Sequence, residues 1–291
     1  EGIQQFIDPF DRLHAAIERQ REAACRRERV PALQEAARRL RRDAVRMTTE
    51  AGSGHPTSSL SCADLAAALF FHEMRWDPGD PGARDVDQFV LSKGHAAPIL
   101  WAALGTAGAL EEDVLALRRS DSTLEGHPTP FNPWVRIATG SLGQGLSGAA
   151  GIALANRLDG IDARVYCLLG DGECSEGAVW EAAQFAARES LGNLVAIVDV
   201  NGLEQSERTP FGHGTTVLAR RFRAFGWETE EIDGHDMHAV LEALARARDG
   251  GPRAILARTR KGKGISFVED REGWHGKPIP PERLEEALAE L

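Results

Sequence analysis

The second half of the chain alternates between two kinds of hydrophobic segment. Apolar runs at 163–169, 194–200 and 254–259 are short and nearly unbroken. Runs of that length, without polar alternation, suit strands buried on both faces. Between and after them, 176–190, 216–225 and 237–247 carry apolar residues at helical spacing. A strand is also predicted over 228–233 and a shorter one over 88–91, which ends in Ser-Lys-Gly-His. The stretch 143–158 reads as a helix so rich in Gly and Ala that it can pack closely against a neighbour. Strands that alternate with helices imply right-handed crossovers, hence an α/β fold with a mostly parallel sheet flanked by helices.

The first half is more helical. Residues 11–47 are dense in Arg, Glu and Ala, and Leu33, Ala37, Leu40, Ala44 and Met47 recur at helical spacing. This predicts a solvated helical arm, about 1–47, with one apolar stripe. A loop with the sequence AGSGHPTSS follows. Ser61 with Asp64 then suits the N-cap of a helix through Leu65, Leu69 and Phe71. No repeat, low-complexity tract or linker divides the chain, so a single domain over 1–291 is expected.

Composition narrows the class. The chain is 42% hydrophobic and 27% charged, an ordinary globular balance. A net charge of -10 and a pI of about 5.5 give no support to a nucleic-acid partner. No apolar run approaches the ~20 residues of a membrane span. The first residues have neither the charged start nor the apolar stretch of a signal peptide. Cys25, Cys62, Cys167 and Cys174 form no CxxC pair, so a reducing cytoplasmic setting is the expectation. Cys174 lies in a turn where it could be accessible.

Two turns carry the candidate chemistry. Gly-Asp-Gly at 170–172 ends one apolar run, and Asp-Val-Asn-Gly at 199–202 ends the next. Asp171 and Asn201 are 30 positions apart (201 − 171). Both turns fall at the C-terminal ends of parallel strands, where open α/β sheets bind ligands. A carboxylate and an amide carbonyl are hard oxygen ligands, suited to a Mg²⁺ that shares phosphate oxygens. Several of the nine histidines also lie in or beside glycine turns, among them His55, His95, His127, His235 and His275. Glycine admits a ligand close to the backbone, and histidine offers a donor or proton carrier near neutral pH. His235, in Asp-Gly-His-Asp, reads equally as a brace for its own turn. Lys261 and Lys263 in Lys-Gly-Lys-Gly could meet a phosphate or solvent.

AGSGHPTSSLS, FVLSKGHAAPILWA, EGHPT, TGSLGQGLSGAAGIALA, GDGECSEG, DVNGL, AFGW, DGHD and TRKGKG…WHG occur in this order in transketolases, and the chain resembles that family from about residue 33 to 280. The resemblance implies a thiamine-diphosphate-binding fold that transfers a two-carbon ketol unit from a ketose to an aldose. It implies Asp171, Asn201 and the Leu203 carbonyl as Mg²⁺ ligands, with Gly172 and Glu173 flanking the diphosphate. Gly140, Ser141 and Leu142 would contact the aminopyrimidine. His95 would lie near the diphosphate and thiazolium, with Asn201 and His275 also among the cofactor contacts. His55, His127 and His275 would line the substrate channel. Glu176 would couple paired sites across a subunit interface, or simply favour a helix N-terminus.

Two departures from the family pattern stand out. Thr57 follows Ser-Gly-His-Pro where the family usually has glycine, which bears on fine substrate contacts. The resemblance also covers only the first domain of a transketolase. It therefore implies the N-terminal subunit of a split enzyme in an α2β2 assembly. A separate C-terminal subunit would carry the pyrimidine-binding domain and its catalytic glutamate. The alternatives are ketol or acyl transfer to a specialised acceptor, such as a carrier-protein thiol or a secondary metabolite, the α-subunit of a 2-oxo-acid dehydrogenase, and a non-catalytic cofactor-binding partner.

Overall fold

The computed structural model describes residues 4–246 and 250–291, with side chains from residue 24 onward. Strands β1 (Gln88–Leu91), β2 (Val165–Gly170), β3 (Leu194–Val200), β4 (Glu228–Asp233) and β5 (Arg253–Arg258) form one sheet in the order β1-β2-β3-β5-β4. Every pairing is parallel, so each connection must cross a face, and helices cover both.

The unbroken apolar runs follow from that double cover. On β2, Val165, Cys167 and Leu169 enter a core shared with α5 (Gln144–Leu158), α6 (Gly177–Arg188) and α7 (Thr216–Ala224). Tyr166 and Leu168, pointing the other way, join α1 (Gln4–Glu50), α3 (Ala63–Ala68), α4 (Ala97–Thr106) and α8 (Met237–Ala245). Alternate residues thus serve opposite faces, and neither face can be polar. The edge strand β4 is half-exposed and rich in Glu, which discourages pairing with another chain. A third cluster joins Val45 and Leu60, the latter on the short helix α2 (Pro56–Ser61), to Ile265, Val268 and Ile279. It also includes Ala287 and Leu288 of α9 (Leu284–Glu290).

Three expectations change. First, α1 is not a solvated arm over its last turns. Leu33, Ala37, Leu40, Ala44 and Met47 are all buried, and this part of the helix is a wall of the core. Second, Ser61 and Asp64 do not form a cap. Cys62 occupies the N-cap of α3 without a side-chain bond. Ser61 Oγ instead donates to the Asp199 carboxylate at 2.6 Å, and Asp64 pairs with Arg41 and with His235. A buried hydroxyl and a buried carboxylate gain more from charged partners than from a neighbouring amide. Third, Cys174 is 1% exposed, packed among the residues of α6 and the sheet, so it is not accessible. None of the described helices is long and apolar enough to cross a membrane.

Candidate functional site

The C-terminal ends of four strands deliver the site. β1 runs into Ser92, Lys93 and a short 3-10 turn that holds His95. β2 ends at Gly170 and Asp171, β3 at Asn201, and β5 at the segment leading to Lys261. Together they border a cavity of ≈ 450 Å³. His55, His95, His127, Gly140, Leu142, Asp171, Gly172, Glu173, Glu176, Asn201, Leu203 and His275 all line it. Ser141 alone of the sequence-derived site residues is outside that lining, although both its neighbours are in it.

Asp171 is held at the cavity floor. Its carboxylate accepts the Gly172 N–H at 3.0 Å and the Gly202 N–H at 2.8 Å. Burial pushes its pKa up to about 6, and the neighbouring Asp199 carboxylate adds to the rise. Asn201 Oδ1 accepts the Leu203 N–H at 3.2 Å, and the Gly202 N–H bond to Asp171 ties this turn to the carboxylate. Among the described residues no three His, Cys, Asp or Glu side chains cluster as a metal site. The set here is different: one carboxylate, one amide oxygen and one backbone carbonyl. A buried carboxylate whose charge is disfavoured, beside two neutral oxygens, fits a hard divalent cation that keeps positions for water and phosphate.

Beneath this floor lies a buried ion pair. Lys93 Nζ bonds Asp199, and both side chains are almost wholly enclosed. Asp199 also accepts from Ser61, Thr259 and Asn201 Nδ2. The pair holds the Lys93 pKa up and the Asp199 pKa down despite burial. It pins the ends of β1, β3 and β5 to α2.

Glu173 has a role the sequence did not suggest. Its carboxylate, 2% exposed, accepts from Ser92 Oγ at 2.5 Å, Gly143 N at 2.9 Å and Gly170 N at 3.0 Å. The side chain therefore fastens the 140–143 loop to two strand ends. That loop also lies close to the turn after β1: a Cβ on Gly94 would meet Gly140 N at 2.7 Å. Gly140 itself has φ 136°, and a Cβ there would strike the His127 ring at 2.9 Å.

Four histidines crowd one side. Ring centroids are 4.7 Å apart for His55 and His275, 5.2 Å for His55 and His95, 5.1 Å for His95 and His275, and 6.1 Å for His55 and His127. Burial is the main cause that lowers all four pKa values, to about 4 for His55 and about 3 for His275. Nearby Lys and Arg charges add to it. The rings are thus neutral at pH 7, each with one N–H donor and one acceptor nitrogen. His95 Nε2 lies 3.1 Å from Ser58 Oγ. His55 Nδ1 is buried without a hydrogen-bond partner among the described residues.

Several site members escaped sequence reading. Ser58 is one turn of α2 beyond His55, and Lys93 two residues before His95; both line the cavity. Their proximity to those histidines was the available signal. Lys261 and Lys263, alike in sequence, separate completely. Lys261 is 3% exposed and lines the cavity, whereas Lys263 lies 3.9 Å from Glu269 near the surface. Burial lowers the Lys261 pKa to about 8. Thr57 does not reach the cavity: it is buried and donates to the Trp274 carbonyl at 3.3 Å. His235 braces its turn between Asp64 Oδ2 at 2.7 Å and the Arg260 N–H at 3.0 Å.

Residues 32–290 match the family model for the thiamine diphosphate binding domain of transketolase. The chain is 52% identical over 263 residues to transketolase-like protein 2 of Bos taurus, covering 89% of this chain and 42% of that protein. Among solved structures it resembles transketolase from Campylobacter jejuni, with TM-score 0.81, 34% identity, and coverage of 88% of this chain and 42% of that one. A Pichia stipitis transketolase in complex with sedoheptulose-7-phosphate gives TM-score 0.80 and 32% identity, with 88% and 40% coverage. The chain therefore spans about two-fifths of the length of these relatives.

Proposed function

Because the chain belongs to the transketolase family, through that family's thiamine diphosphate-binding domain, we propose that it is the diphosphate-binding subunit of an enzyme that transfers a two-carbon ketol unit from a ketose to an aldose. The observation that carries this is the meeting of an oxygen-donor turn (Asp171, Asn201, Leu203) with four neutral histidines around one cavity.

When bound, thiamine diphosphate supplies the electron sink that carbon–carbon bond cleavage next to a carbonyl requires. The residues of this chain bind, orient and move protons. Asp171, Asn201 and the Leu203 carbonyl would hold Mg²⁺, and the Gly172 backbone would flank the diphosphate. Gly140, Ser141 and Leu142 would meet the aminopyrimidine, in a loop that Glu173 keeps in place. His95 would lie beside the diphosphate. His55, His127 and His275 would present neutral nitrogens to the hydroxyls of a sugar, as hydrogen-bond partners with proton carriers among them. Neutrality matters: an imidazole with a depressed pKa accepts a proton only transiently and returns it readily. Glu176, exposed at the N-cap of α6 and on the rim of the cavity, would couple paired sites.

The remaining wall, with the glutamate for the aminopyrimidine, comes from a separate subunit in an α2β2 assembly. The substrates are sugars or sugar phosphates, in keeping with the ligand of the Pichia stipitis relative. The test is ketol transfer measured with ketose and aldose pairs, for this chain alone and mixed with a polypeptide that carries the pyrimidine-binding domain. Turnover only in the mixture supports the proposal. No transfer in the mixture, with cofactor bound, favours a specialised acceptor, and no cofactor binding favours a non-catalytic role.

A further inference from the structure

Lys261 joins the two halves of the cavity. Its ammonium reaches three acceptors: the carbonyl oxygens of Leu203 at 3.1 Å and Glu204 at 3.0 Å, and Nδ1 of His275 at 2.8 Å. A lysine ammonium has three N–H donors and no lone pair, so these three contacts use all of it. A ring nitrogen that accepts a hydrogen bond carries no proton of its own. The neutral His275 ring must then be protonated at Nε2. No described group accepts from that Nε2–H, and His275 lines the cavity.

The backbone on either side of the ring is also fixed. Thr57 donates to the Trp274 carbonyl at 3.3 Å. Gly276 turns the chain at φ 69°, where a Cβ would stand 3.2 Å from His55 Nε2. The backbone on both sides is thus held, and the 2.8 Å contact sets Nδ1 as the nitrogen that faces the ammonium.

We propose that Lys261 is a positioning residue that locks His275 in the Nε2–H tautomer, so that this histidine meets the substrate as a hydrogen-bond donor and not as a base. The same ammonium ties the ring to the loop that carries the Leu203 carbonyl. A carbonyl has two lone pairs, so Leu203 can accept from Lys261 and still face a cation. Of the three channel histidines, His275 is then the one unable to take a proton from a sugar hydroxyl in the resting state. That task falls to His55 and His127. The consequence for turnover rests on the reading of this cavity as a sugar channel; the tautomer itself does not.

The experiment is long-range proton–nitrogen correlation on the full chain with ¹⁵N-labelled histidine, the His275 signals being assigned with His275→Asn. The wild-type ring is expected as Nε2–H from pH 6 to 7, below the Lys261 pKa of about 8. In Lys261→Met the ring should become a mixture of tautomers, and Lys261→Arg should restore the wild-type pattern. In the reconstituted enzyme, Lys261→Met should lower kcat by more than about tenfold, since a catalytic histidine in the wrong tautomer costs up to roughly 10⁴; KM for the ketose should change much less. A wild-type ring protonated at Nδ1 overturns the proposal, as does an unchanged tautomer in Lys261→Met. Should Lys261→Met not fold, the wild-type spectrum decides alone. Absence of thiamine diphosphate binding by the wild-type protein would remove the sugar-channel reading and leave the tautomer to be judged by the spectrum.

Discussion

Replacing Glu173 by Gln tests how the cofactor-facing loop is held. In the native protein Oε1 accepts from Ser92 Oγ and Gly143 N, and Oε2 from Gly170 N. Glutamine has one oxygen. With it placed toward Ser92 and Gly143, the amide NH₂ faces the Gly170 N–H, donor against donor. One charge-assisted bond is lost, worth roughly 1.5–3 kcal/mol, and the other two weaken. Removal of a buried charge relieves part of its desolvation cost, so the net loss is about 2 kcal/mol. Glu173→Ala orphans all three donors and leaves a void, for a loss of about 4 kcal/mol. Urea unfolding followed by circular dichroism reads both. With a slope of about 3 kcal/mol per molar, Glu173→Gln should lower the midpoint by about 0.7 M at unchanged slope. If Glu173→Gln stayed within about 0.5 kcal/mol of wild type, the idea that this carboxylate clamps the loop would be wrong.

Three further outcomes follow from the same geometry. Lys93→Met leaves the Asp199 charge buried without its partner and should cost about 3–5 kcal/mol, read by the same unfolding; a loss under about 1 kcal/mol would show that the pair is dispensable. Gly145→Ala places a Cβ 2.5 Å from Ser92 Cα, so α5 must move away from the β1 turn, at a cost of about 1–3 kcal/mol; an unchanged melting temperature would refute the close approach. The histidines give a pH dependence. With His55 depressed to about 4, the unfolded chain binds a proton that the folded state refuses between that value and ~6.5. Its contribution is therefore complete above ~6.5 and is lost as pH falls. Over that window wild type should lose up to about 1.4 kcal/mol per pH unit more than His55→Asn, less a discount for the partly exposed ring; parallel pH profiles would refute the shift.

The sheet was largely legible in the sequence. The strands Gln88–Leu91, Leu194–Val200 and Glu228–Asp233 fall where the sequence placed them, because sharp polar turns bound them. The Asp171 and Asn201 turns and the histidine loops, marked by glycine where backbone comes close, do meet around one cavity. Partners that depend on tertiary contact were not legible. Nothing near Ser61 or Asp64 announces Asp199, Arg41 or His235, each distant along the chain. The resemblance implied that Glu173 flanks the diphosphate, but its three protein donors, Ser92, Gly143 and Gly170, were not legible. Lys261 and Lys263 share one tetrapeptide, and only the fold buries one and leaves the other near solvent.

The central claim is that Asp171, Asn201 and Leu203 anchor thiamine diphosphate through Mg²⁺ in a site completed by a second subunit. Calorimetric titration of thiamine diphosphate tests it most directly, with and without Mg²⁺, into this chain alone and into its mixture with a polypeptide carrying the pyrimidine-binding domain. Tight, Mg²⁺-dependent binding in the mixture, abolished by Asp171→Ala, is the expected result. Binding that Asp171→Ala leaves unchanged, or no binding in either sample, would contradict it.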